Sequence, residues 1–338
     1  MSLIERAWQS RGHPLAWLLL PLAGLFSVVV QLRRMAYRYG LLTVQTSAVP
    51  VIVVGNLTVG GVGKTPLVLW LAQHLQTRGL RVGVVSRGYG RQTRGLVLSD
   101  AASVASAATL GDEPALLADA GIPVAVAERR SQAVAALAPH CDVLLADDGL
   151  QHYAMGRAAE LLVVDGQRQF GNCWLLPAGP LREPVRRGLR CDLVLVRGGG
   201  LPALEAARRC LPTASAMSFD VLAGRVTALD AGSSTPISQW AGREVHAVAG
   251  IGVPDRFFDA LRQAGLQVQA HAFPDHHAFC AEDLAFGDER PVLMTSKDAV
   301  KCRAFADSRM YEVIATVVPD PALPAAVDAL VAALRGPA

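Results

Sequence analysis

The sequence predicts an α/β fold built on a parallel sheet, and two observations indicate this fold. Short apolar runs alternate along the 338-residue chain with segments of helical periodicity. These runs show little polar alternation, which is typical of strands covered by helices on both faces of a parallel sheet. Ligands of such sheets bind where the strands end, so the residues after each apolar run are the first candidates for function.

The order of the elements predicts a core followed by a second, smaller α/β domain. Strands are expected at 50–54, 82–86, 122–127, 142–146, 160–165, 191–197, 244–249, 266–273 and 291–296. Helices are expected at 65–78, 112–120, 131–139, 254–264, 297–305 and 321–335. Three glycines at 198–200 precede Pro202 and mark the predicted boundary. We therefore expect domains at 1–45, 46–200 and 201–338, with the last helix packing back on the core.

A glycine-rich loop after the first of these strands predicts a phosphate-binding site and a core of the P-loop NTPase type. Glycines let successive N–H groups surround an anion, and the N-terminus of the next helix adds partial positive charge. Lys64 is expected to reach the β- and γ-phosphates, and Thr65 to bind Mg²⁺. Thr58 stands where the pattern usually has its first glycine. The predicted nucleotide-binding residues are Thr58, Val59, Gly60, Gly61, Val62, Gly63, Lys64 and Thr65.

Composition excludes some classes of function. The net charge of +3 is too small to indicate nucleic-acid binding, and no long run of aromatic residues alternates with basic ones. The six cysteines are scattered, without metal-like spacing. This pattern fits a reducing cytosol better than a disulfide framework or a zinc site.

The N-terminal region contains an uncharged, mostly apolar run from Leu15 to Leu32, followed by Arg33, Arg34 and Arg38. Eighteen helical residues span about 27 Å, the lower margin for crossing a bilayer. A signal peptide and a buried core helix are the alternatives. The basic and tyrosine-containing flank favours a membrane-anchoring helix, which would either span the bilayer or lie in its interface.

Two acids, Asp147 and Asp148, follow the apolar run at 142–146. In a parallel sheet they would face the same edge as Lys64 and Thr65, where carboxylates hold Mg²⁺ directly or through water. Taken alone, acids after an apolar run are as often caps or turns, so the prediction depends on the neighbouring glycine loop.

Four further polar segments have both a structural and a functional interpretation. Gly111-Asp112-Glu113-Pro114 would cap a helix or supply a catalytic base. Ser86-Arg87-Gly88-Tyr89-Gly90-Arg91 offers guanidinium groups to anions, and Asp275-His276-His277 would form a solvated turn or a His–Asp pair. Thr295-Ser296-Lys297-Asp298 is similar to the base-reading segment of GTPases, but its spacing differs and does not indicate guanine specificity.

Several motifs occur together in a fixed order: Val54-Gly55-Asn56-Leu57-Thr58, the glycine loop to Pro66, Ser86-Arg87-Gly88-Tyr89-Gly90, Gly111-Asp112-Glu113-Pro114, Asp147-Asp148-Gly149-Leu150-Gln151-His152, Leu176-Pro177-Ala178-Gly179-Pro180-Leu181-Arg182-Glu183, Asp275-His276 and Thr295-x-Lys297-Asp298-Ala299-Val300-Lys301. In this order they resemble the tetraacyldisaccharide 4′-kinases of lipid A biosynthesis, which phosphorylate a lipid disaccharide. The resemblance covers nearly the whole chain. Thr58, which departs from the general glycine-loop pattern, agrees with the loop of this family.

The resemblance implies ATP and Mg²⁺ as cofactors and assigns roles to matching residues. Lys64 would stabilise the transferring phosphoryl group, while Thr65, Asp147 and Asp148 would hold the metal. Asp112 would deprotonate the sugar hydroxyl, with His276 orienting it. Because the predicted boundary separates these two residues, we expect their pair to form only when the domains close. The residues expected to bind the acceptor or order the site are Glu113, Arg130, Gln151, His152, Arg182 and Glu183.

The expected partners are a lipid disaccharide and the membrane surface, at the cytoplasmic face of the inner membrane, with no nucleic acid and no obligate protein partner. The leading alternative is a partitioning or maturation ATPase that acts as a dimer-gated switch. Such proteins usually carry a lysine just before the glycine pair, where this chain has Val59. A non-enzymatic membrane scaffold is the other alternative.

Overall fold

The computed structural model describes residues 3–99 and 107–335. The helices are α1 (Leu3–Gln9), α2 (Pro14–Leu18), α3 (Leu20–Arg38), α4 (Lys64–Thr77), α5 (Ala107–Leu110), α6 (Asp112–Asp119), α7 (Arg130–Leu137), α8 (Gly200–Cys210), α9 (Pro254–Gln263), α10 (Ser296–Cys302) and α11 (Leu323–Arg335). The strands are β1 (Val51–Gly55), β2 (Val82–Ser86), β3 (Val97–Ser99), β4 (Val124–Val126), β5 (Val143–Asp147), β6 (Ala159–Asp165), β7 (Leu193–Arg197), β8 (Ala216–Ala228), β9 (Ser234–Pro236), β10 (Glu244–Ala249), β11 (Gln267–Ala272), β12 (Val292–Thr295) and β13 (Met310–Pro319).

The described residues form two compact units, and neither is continuous in sequence. The first unit contains the residues up to Ser86, Arg129–Asp220 and those from Pro319 onward, and the second contains the described parts of Arg87–Glu128 and Val221–Val318. The predicted boundary at residue 200 lies inside the first unit, because the glycines there begin α8. Gly199 has a left-handed conformation (φ 77°) and caps that helix. A glycine cluster that begins a helix is hard to distinguish by sequence from a linker.

The first unit contains a parallel sheet, as predicted. Its strand order is β8-β7-β6-β1-β5-β2, and β1 pairs in parallel with both β5 and β6. Strands β1, β2, β5 and β6 are buried throughout, which explains their nearly continuous apolar sequence. The register places Val54 beside Asp147. The residues after β1 and β5 therefore leave the sheet at the same edge.

The second unit contains a mixed sheet of order β11-β10-β12-β13-β8, with β10, β11, β12 and β13 paired in parallel. Strand β9 pairs with β8, and β3 with β4, in antiparallel fashion. A cluster around Trp240, Phe258 and Leu261 packs against this sheet. The sequence did not predict β8 or β13, because both alternate between buried and partly exposed residues and lack a continuous apolar run.

The apolar N-terminal run forms two helices, since α2 ends and α3 begins at Leu19. A stripe along this region remains exposed at helical spacing and includes Leu18, Leu22, Leu25, Val29 and Leu32. The alternative of a buried core helix, which the sequence left open, is therefore wrong. Within the described ranges, no helix combines the length and the hydropathy that crossing a membrane requires.

Small buried residues and hydrogen bonds hold α1 against the segment 171–180 of the first unit. Asn172 is 3 % exposed, and its Nδ2 donates to the carbonyl of Ala7 at 3.2 Å and of Ala178 at 2.9 Å. Its Oδ1 accepts the N–H of Trp174 at 3.0 Å. Trp8 Nε1 also donates to the carbonyl of Pro177 at 2.9 Å. These bonds fix the start of the chain next to the loop that carries Arg182.

Replacement of Asn172 by alanine is expected to lower the free energy of unfolding by about 2–3 kcal/mol, because it leaves buried carbonyl and amide groups without partners. Urea unfolding followed by circular dichroism measures this change. Thr77→Ala is the control, since that hydroxyl donates to His74 in an exposed position, and it should change stability by less than about 0.5 kcal/mol. Equal effects of the two substitutions would contradict the assigned role of Asn172.

Candidate active site

The glycine loop connects β1 to α4 in the first unit and requires glycine at two positions. Gly60 and Gly63 have φ values of 94° and 74°. A Cβ atom on Gly63 would lie 2.0 Å from Nη1 of Arg197, so a side chain there would displace this guanidinium group and would also strain the left-handed backbone. Lys64 and Thr65 occupy the first turn of α4. This confirms the predicted strand, loop and helix around the phosphate-binding sequence.

The side chain of Asn56 holds the glycine loop through hydrogen bonds. The sequence did not predict this role. The side chain is fully buried, and its Nδ2 donates to the carbonyl of Thr58 at 2.8 Å. Its Oδ1 accepts from Nζ of Lys64 at 3.1 Å, and its carbonyl accepts from Nε2 of Gln151 at 3.1 Å. An amide directly after an apolar strand was the available signal, because a buried amide needs several partners.

Lys64 forms an ion pair with Asp148, the residue that follows β5. Nζ of Lys64 lies 3.1 Å from Oδ1 of Asp148, and Asp148 itself has a left-handed backbone (φ 49°). Burial opposes ionisation of this carboxyl group, but the charges of Lys64 and then Arg182 outweigh it and lower the pKa of Asp148 to about 2. Asp148 is therefore ionised at neutral pH and offers carboxylate oxygens at the edge of the sheet.

Asp147 and Thr65 lie at the same sheet edge. Asp147 is the last residue of β5 and is 2 % exposed. Two carboxylates and a hydroxyl provide the hard oxygen ligands that Mg²⁺ prefers. Among residues 3–99 and 107–335, no group of three or more His, Cys, Asp or Glu side chains is arranged to hold a metal ion by itself. Any metal here would thus need further oxygen atoms, such as those of a nucleotide phosphate or water.

Three of the predicted acceptor residues surround Asp148. Arg182 Nη1 donates to Oδ2 of Asp148 at 3.1 Å and lies 3.4 Å from Oε1 of Gln151. Arg130 is buried and donates through Nη1 to the carbonyl of Asp148 at 2.8 Å. His152 follows in the same turn, and its N–H donates to the carbonyl of Gly149. The structure thus brings Arg130, Gln151 and Arg182 together beside Lys64.

Glu183 is enclosed in the protein, although it follows Arg182 directly. It is 1 % exposed, and its Oε1 accepts the hydroxyl of Tyr153 at 2.5 Å. Arg187 lies 3.6 Å from its other oxygen. Burial and the negative charge of Glu183 raise the pKa of Tyr153 to about 12. Of the two roles expected for Glu183, this position fits ordering of the site.

A second polar cluster lies in the second unit and contains Asp112 and His276. Oδ2 of Asp112 accepts from Nδ1 of His276 at 2.9 Å. Asp112 begins α6, and His276 has a left-handed backbone (φ 63°). Their side chains are 14 % and 32 % exposed. Glu113 follows Asp112 in the first turn of α6.

The expectation that this pair forms only on domain closure is wrong. Asp112 and His276 belong to the same unit and are already hydrogen bonded within it. The error came from the linear domain boundary, because the segment with Asp112 leaves the core to join the second unit. His277 makes a separate contact, with its Nε2 2.9 Å from Oδ2 of Asp283.

Tight turns position the Asp112–His276 pair. A Cβ atom on Gly111 would lie 2.6 Å from the carbonyl oxygen of Tyr89, so the turn at 88–90 crosses the start of α6 closely. The ring of Tyr89 lies 5.2 Å from that of His276. Arg91, which was expected to offer its guanidinium group to anions, instead pairs with Glu128 at 2.7 Å and has a side chain only 4 % exposed. Arg87 remains exposed.

Comparison with known proteins identifies close relatives over nearly the whole chain. A family model described as tetraacyldisaccharide-1-P 4′-kinase matches residues 15–334. A tetraacyldisaccharide 4′-kinase from Nitrosococcus oceani is 46 % identical over 98 % of this chain and 94 % of that protein. One from Azoarcus sp. (strain BH72) is 49 % identical over 90 % of this chain and 88 % of that protein.

A solved structure supports the same relationship. It is described as the "apo" form of LpxK from Aquifex aeolicus in complex with ATP, with a TM-score of 0.77 and 27 % sequence identity. The match covers 94 % of this chain and all of the other. On this evidence, together with the phosphate loop and the Asp112–His276 pair, the chain belongs to the tetraacyldisaccharide-1-P 4′-kinase family.

Proposed function

We propose that this protein transfers the γ-phosphoryl group of ATP to the 4′-hydroxyl of a tetraacylated glucosamine disaccharide 1-phosphate, giving lipid IVA in lipid A biosynthesis. The observation that carries the proposal is the family match over residues 15–334. Two features of the chain support it, a phosphate loop with a paired lysine and a carboxylate hydrogen bonded to an imidazole. The first suits a nucleotide donor, and the second suits a hydroxyl acceptor.

The donor half of the reaction is assigned to the first unit. The glycine loop and the N-terminus of α4 would bind the phosphates of ATP through backbone N–H groups. Lys64, held by Asn56 and Asp148, would neutralise charge on the transferring group. Thr65, Asp147 and Asp148 would hold Mg²⁺, and their oxygen donors fit that ion. When bound, Mg²⁺ would neutralise charge on the β- and γ-phosphates.

The acceptor half is assigned to the Asp112–His276 pair. The 4′-oxygen forms a bond to the γ-phosphorus, and the bond from that phosphorus to the β,γ-bridging oxygen breaks. The hydroxyl proton passes to the Asp112 carboxylate, and ADP is released. His276 donates its Nδ1–H to Oδ2 of Asp112 and so keeps the carboxylate oriented, as a general base requires.

The remaining predicted residues are assigned to binding and order. Arg182 and Gln151 lie beside Asp148 and would contact the anionic substrates. Arg130 supports the turn at Asp148. We assign His152 and Glu113 to acceptor binding because they flank the two clusters, and Glu183 to holding the segment after Arg182 in place.

The exposed stripe of the N-terminal helices would bring the protein to the acceptor. We propose that Leu22, Leu25, Val29 and their neighbours lie in the interface of the inner membrane on its cytoplasmic side, with Arg33 and Arg38 near the headgroups. The acyl chains of the acceptor could then stay in the bilayer during phosphoryl transfer. The family match and Val59 both argue against the alternative of a dimer-gated ATPase.

Incubation of the protein with ATP, Mg²⁺ and a tetraacylated disaccharide 1-phosphate in detergent is expected to yield the bisphosphate, measured by transfer of labelled γ-phosphate. Lipid-independent, concentration-dependent ATP hydrolysis without this product would instead support a dimer-gated ATPase.

Asp112→Ala and His276→Ala are each expected to lower kcat by a factor of about 10² to 10⁴, the range for loss of a general base or its partner. The matched control is His277→Ala, since His277 is adjacent but pairs with Asp283. Initial rates at saturating ATP measure the effect. Wild-type turnover in the Asp112 variant would remove its assignment as the base.

Membrane binding is expected to depend on the exposed stripe. The double substitution Leu25→Asp and Val29→Asp should weaken binding to vesicles of phosphatidylethanolamine and phosphatidylglycerol by more than about 10-fold, because each buried aliphatic side chain contributes about 1.5–3 kcal/mol. Sedimentation with vesicles measures it. Leu201→Asp, at an exposed position of α8, should have no effect. Unchanged binding of the double variant would contradict the proposed orientation.

A further inference from the structure

Lys301 lies between two carboxylates in the second unit, and the mechanism above gives it no role. Its Nζ is 3.3 Å from Oδ2 of Asp112 and 3.3 Å from Oδ1 of Asp298. The side chain is only 11 % exposed. Because Asp112 begins α6 and Lys301 lies in the last turn of α10, this ammonium group connects the start of one helix to the end of another.

Asp298 anchors Lys301 rigidly. It is fully buried, and its Oδ2 accepts the N–H of Gly250 at 2.9 Å and the hydroxyl of Thr295 at 2.7 Å. Its other oxygen faces Lys301. A buried carboxylate requires a paired cation and satisfied oxygens, and Lys301 supplies that cation. Asp298 is the acid of the segment that is similar to the base-reading motif of GTPases, and here it is paired inside the protein.

The neighbouring Lys297 contacts the second ring nitrogen of His276. Its Nζ lies 3.4 Å from Nε2 of His276 and 3.2 Å from Oδ1 of Asp275. An ammonium group can only donate, so Nε2 accepts from Lys297 while Nδ1–H donates to Asp112. The ammonium group of Lys301 is a permanent positive charge in contact with the Asp112 carboxylate.

We propose that Lys301 is the positioning residue for the Asp112 base: it links Asp112 to the buried, fixed carboxylate of Asp298 and places a positive charge against the Asp112 carboxylate. The proposal rests on the proposed function, in which Asp112 takes the proton of the acceptor hydroxyl. His276 and Lys301 both contact Oδ2 of Asp112. We therefore assign Oδ1 as the oxygen that accepts the proton.

The residue type agrees with this role. Only three of the 32 basic Lys and Arg residues in the chain are lysines, and they are Lys64, Lys297 and Lys301. An ammonium group is a compact charge that donates in three directions, whereas a guanidinium group is planar and larger. A bridge between two carboxylates in an enclosed position suits the smaller group.

Several titratable groups surround Asp112 and bear on its pH dependence. They are Glu113 on its own helix, Tyr89 of the turn at 88–90, Asp275 and His276 of the next segment, and Lys297, Asp298 and Lys301 of α10. Of these, His276 and Lys301 contact the Asp112 carboxylate directly. Removal of the Lys301 charge should therefore change the pH at which the base is protonated.

The test compares pH–rate profiles of kcat/KM for Lys301→Met and Lys301→Arg with the full-length wild-type protein. Loss of the cation makes the carboxylate harder to ionise, so the acidic limb of the Lys301→Met profile should move to higher pH by about one unit. Its kcat should fall about 10-fold or more, as for a lost hydrogen bond to a charged group. Lys301→Arg keeps the charge, so its limb should stay near wild type while its kcat falls.

A matched control removes another ion pair near the same helices. Nη1 of Arg303 lies 2.6 Å from Oδ2 of Asp119 at the end of α6, and Arg303→Met should leave both kcat and the pH profile unchanged. Asp298→Asn should lower kcat without moving the acidic limb of the pH profile, because the Lys301 charge remains. If Lys301→Met does not fold, the kcat of Asp298→Asn tests the proposal in its place.

Two results would overturn the proposal. An unshifted limb in Lys301→Met would show that Lys301 does not support ionisation of the base, even if turnover falls. Wild-type turnover in Asp298→Asn would show that the buried carboxylate does not position it. Failure of the proposed function is distinguishable from both, because the wild-type protein would then form no bisphosphate.

Discussion

The parallel pairing of β1 with β5 is the constraint on which the proposed donor site depends. The register that places Val54 beside Asp147 makes the glycine loop and the two acids leave the sheet at one edge. A shift of one residue would turn Asp147 to the opposite face of the sheet. Lys64 and Asp148 can form their 3.1 Å ion pair only because this register brings a helix start and a strand end together.

Both polar clusters follow the same physical rule, since each holds charged side chains with buried or partly buried partners. In the first unit, buried Asn56 binds Lys64, and Lys64 and Arg182 keep Asp148 ionised. In the second unit, buried Asp298 holds Lys301, which contacts Asp112. Because the pKa of Asp148 is lowered on folding, its contribution to stability is present at neutral pH and is lost as the pH falls toward about 2.

Most strands with a largely apolar sequence were predictable, whereas two strands with a mixed pattern were missed. Strands β2 and β10 coincide with their predicted bounds, since both are largely buried and mostly apolar. Strands β8 and β13 were missed because their exposed residues break that pattern. The prediction that Arg91 offers its guanidinium group to anions failed for a different reason. Its Nη2 lies 2.7 Å from Oε1 of Glu128, a contact between distant segments that the sequence does not show.

The sequence by itself determined the α/β class, the phosphate loop and the residue types of the candidate site, because these depend on local patterns of glycine, charge and hydropathy. Only the tertiary structure decided which residues share a unit, and so it showed that the expected Asp112–His276 pair forms within one unit and revealed Asn56 and Lys301. The physical reason is that a discontinuous unit and a buried hydrogen-bond network depend on contacts between segments far apart in sequence. Oδ2 of Asp112 lies 3.3 Å from Nζ of Lys301, and no local sequence pattern predicts this contact.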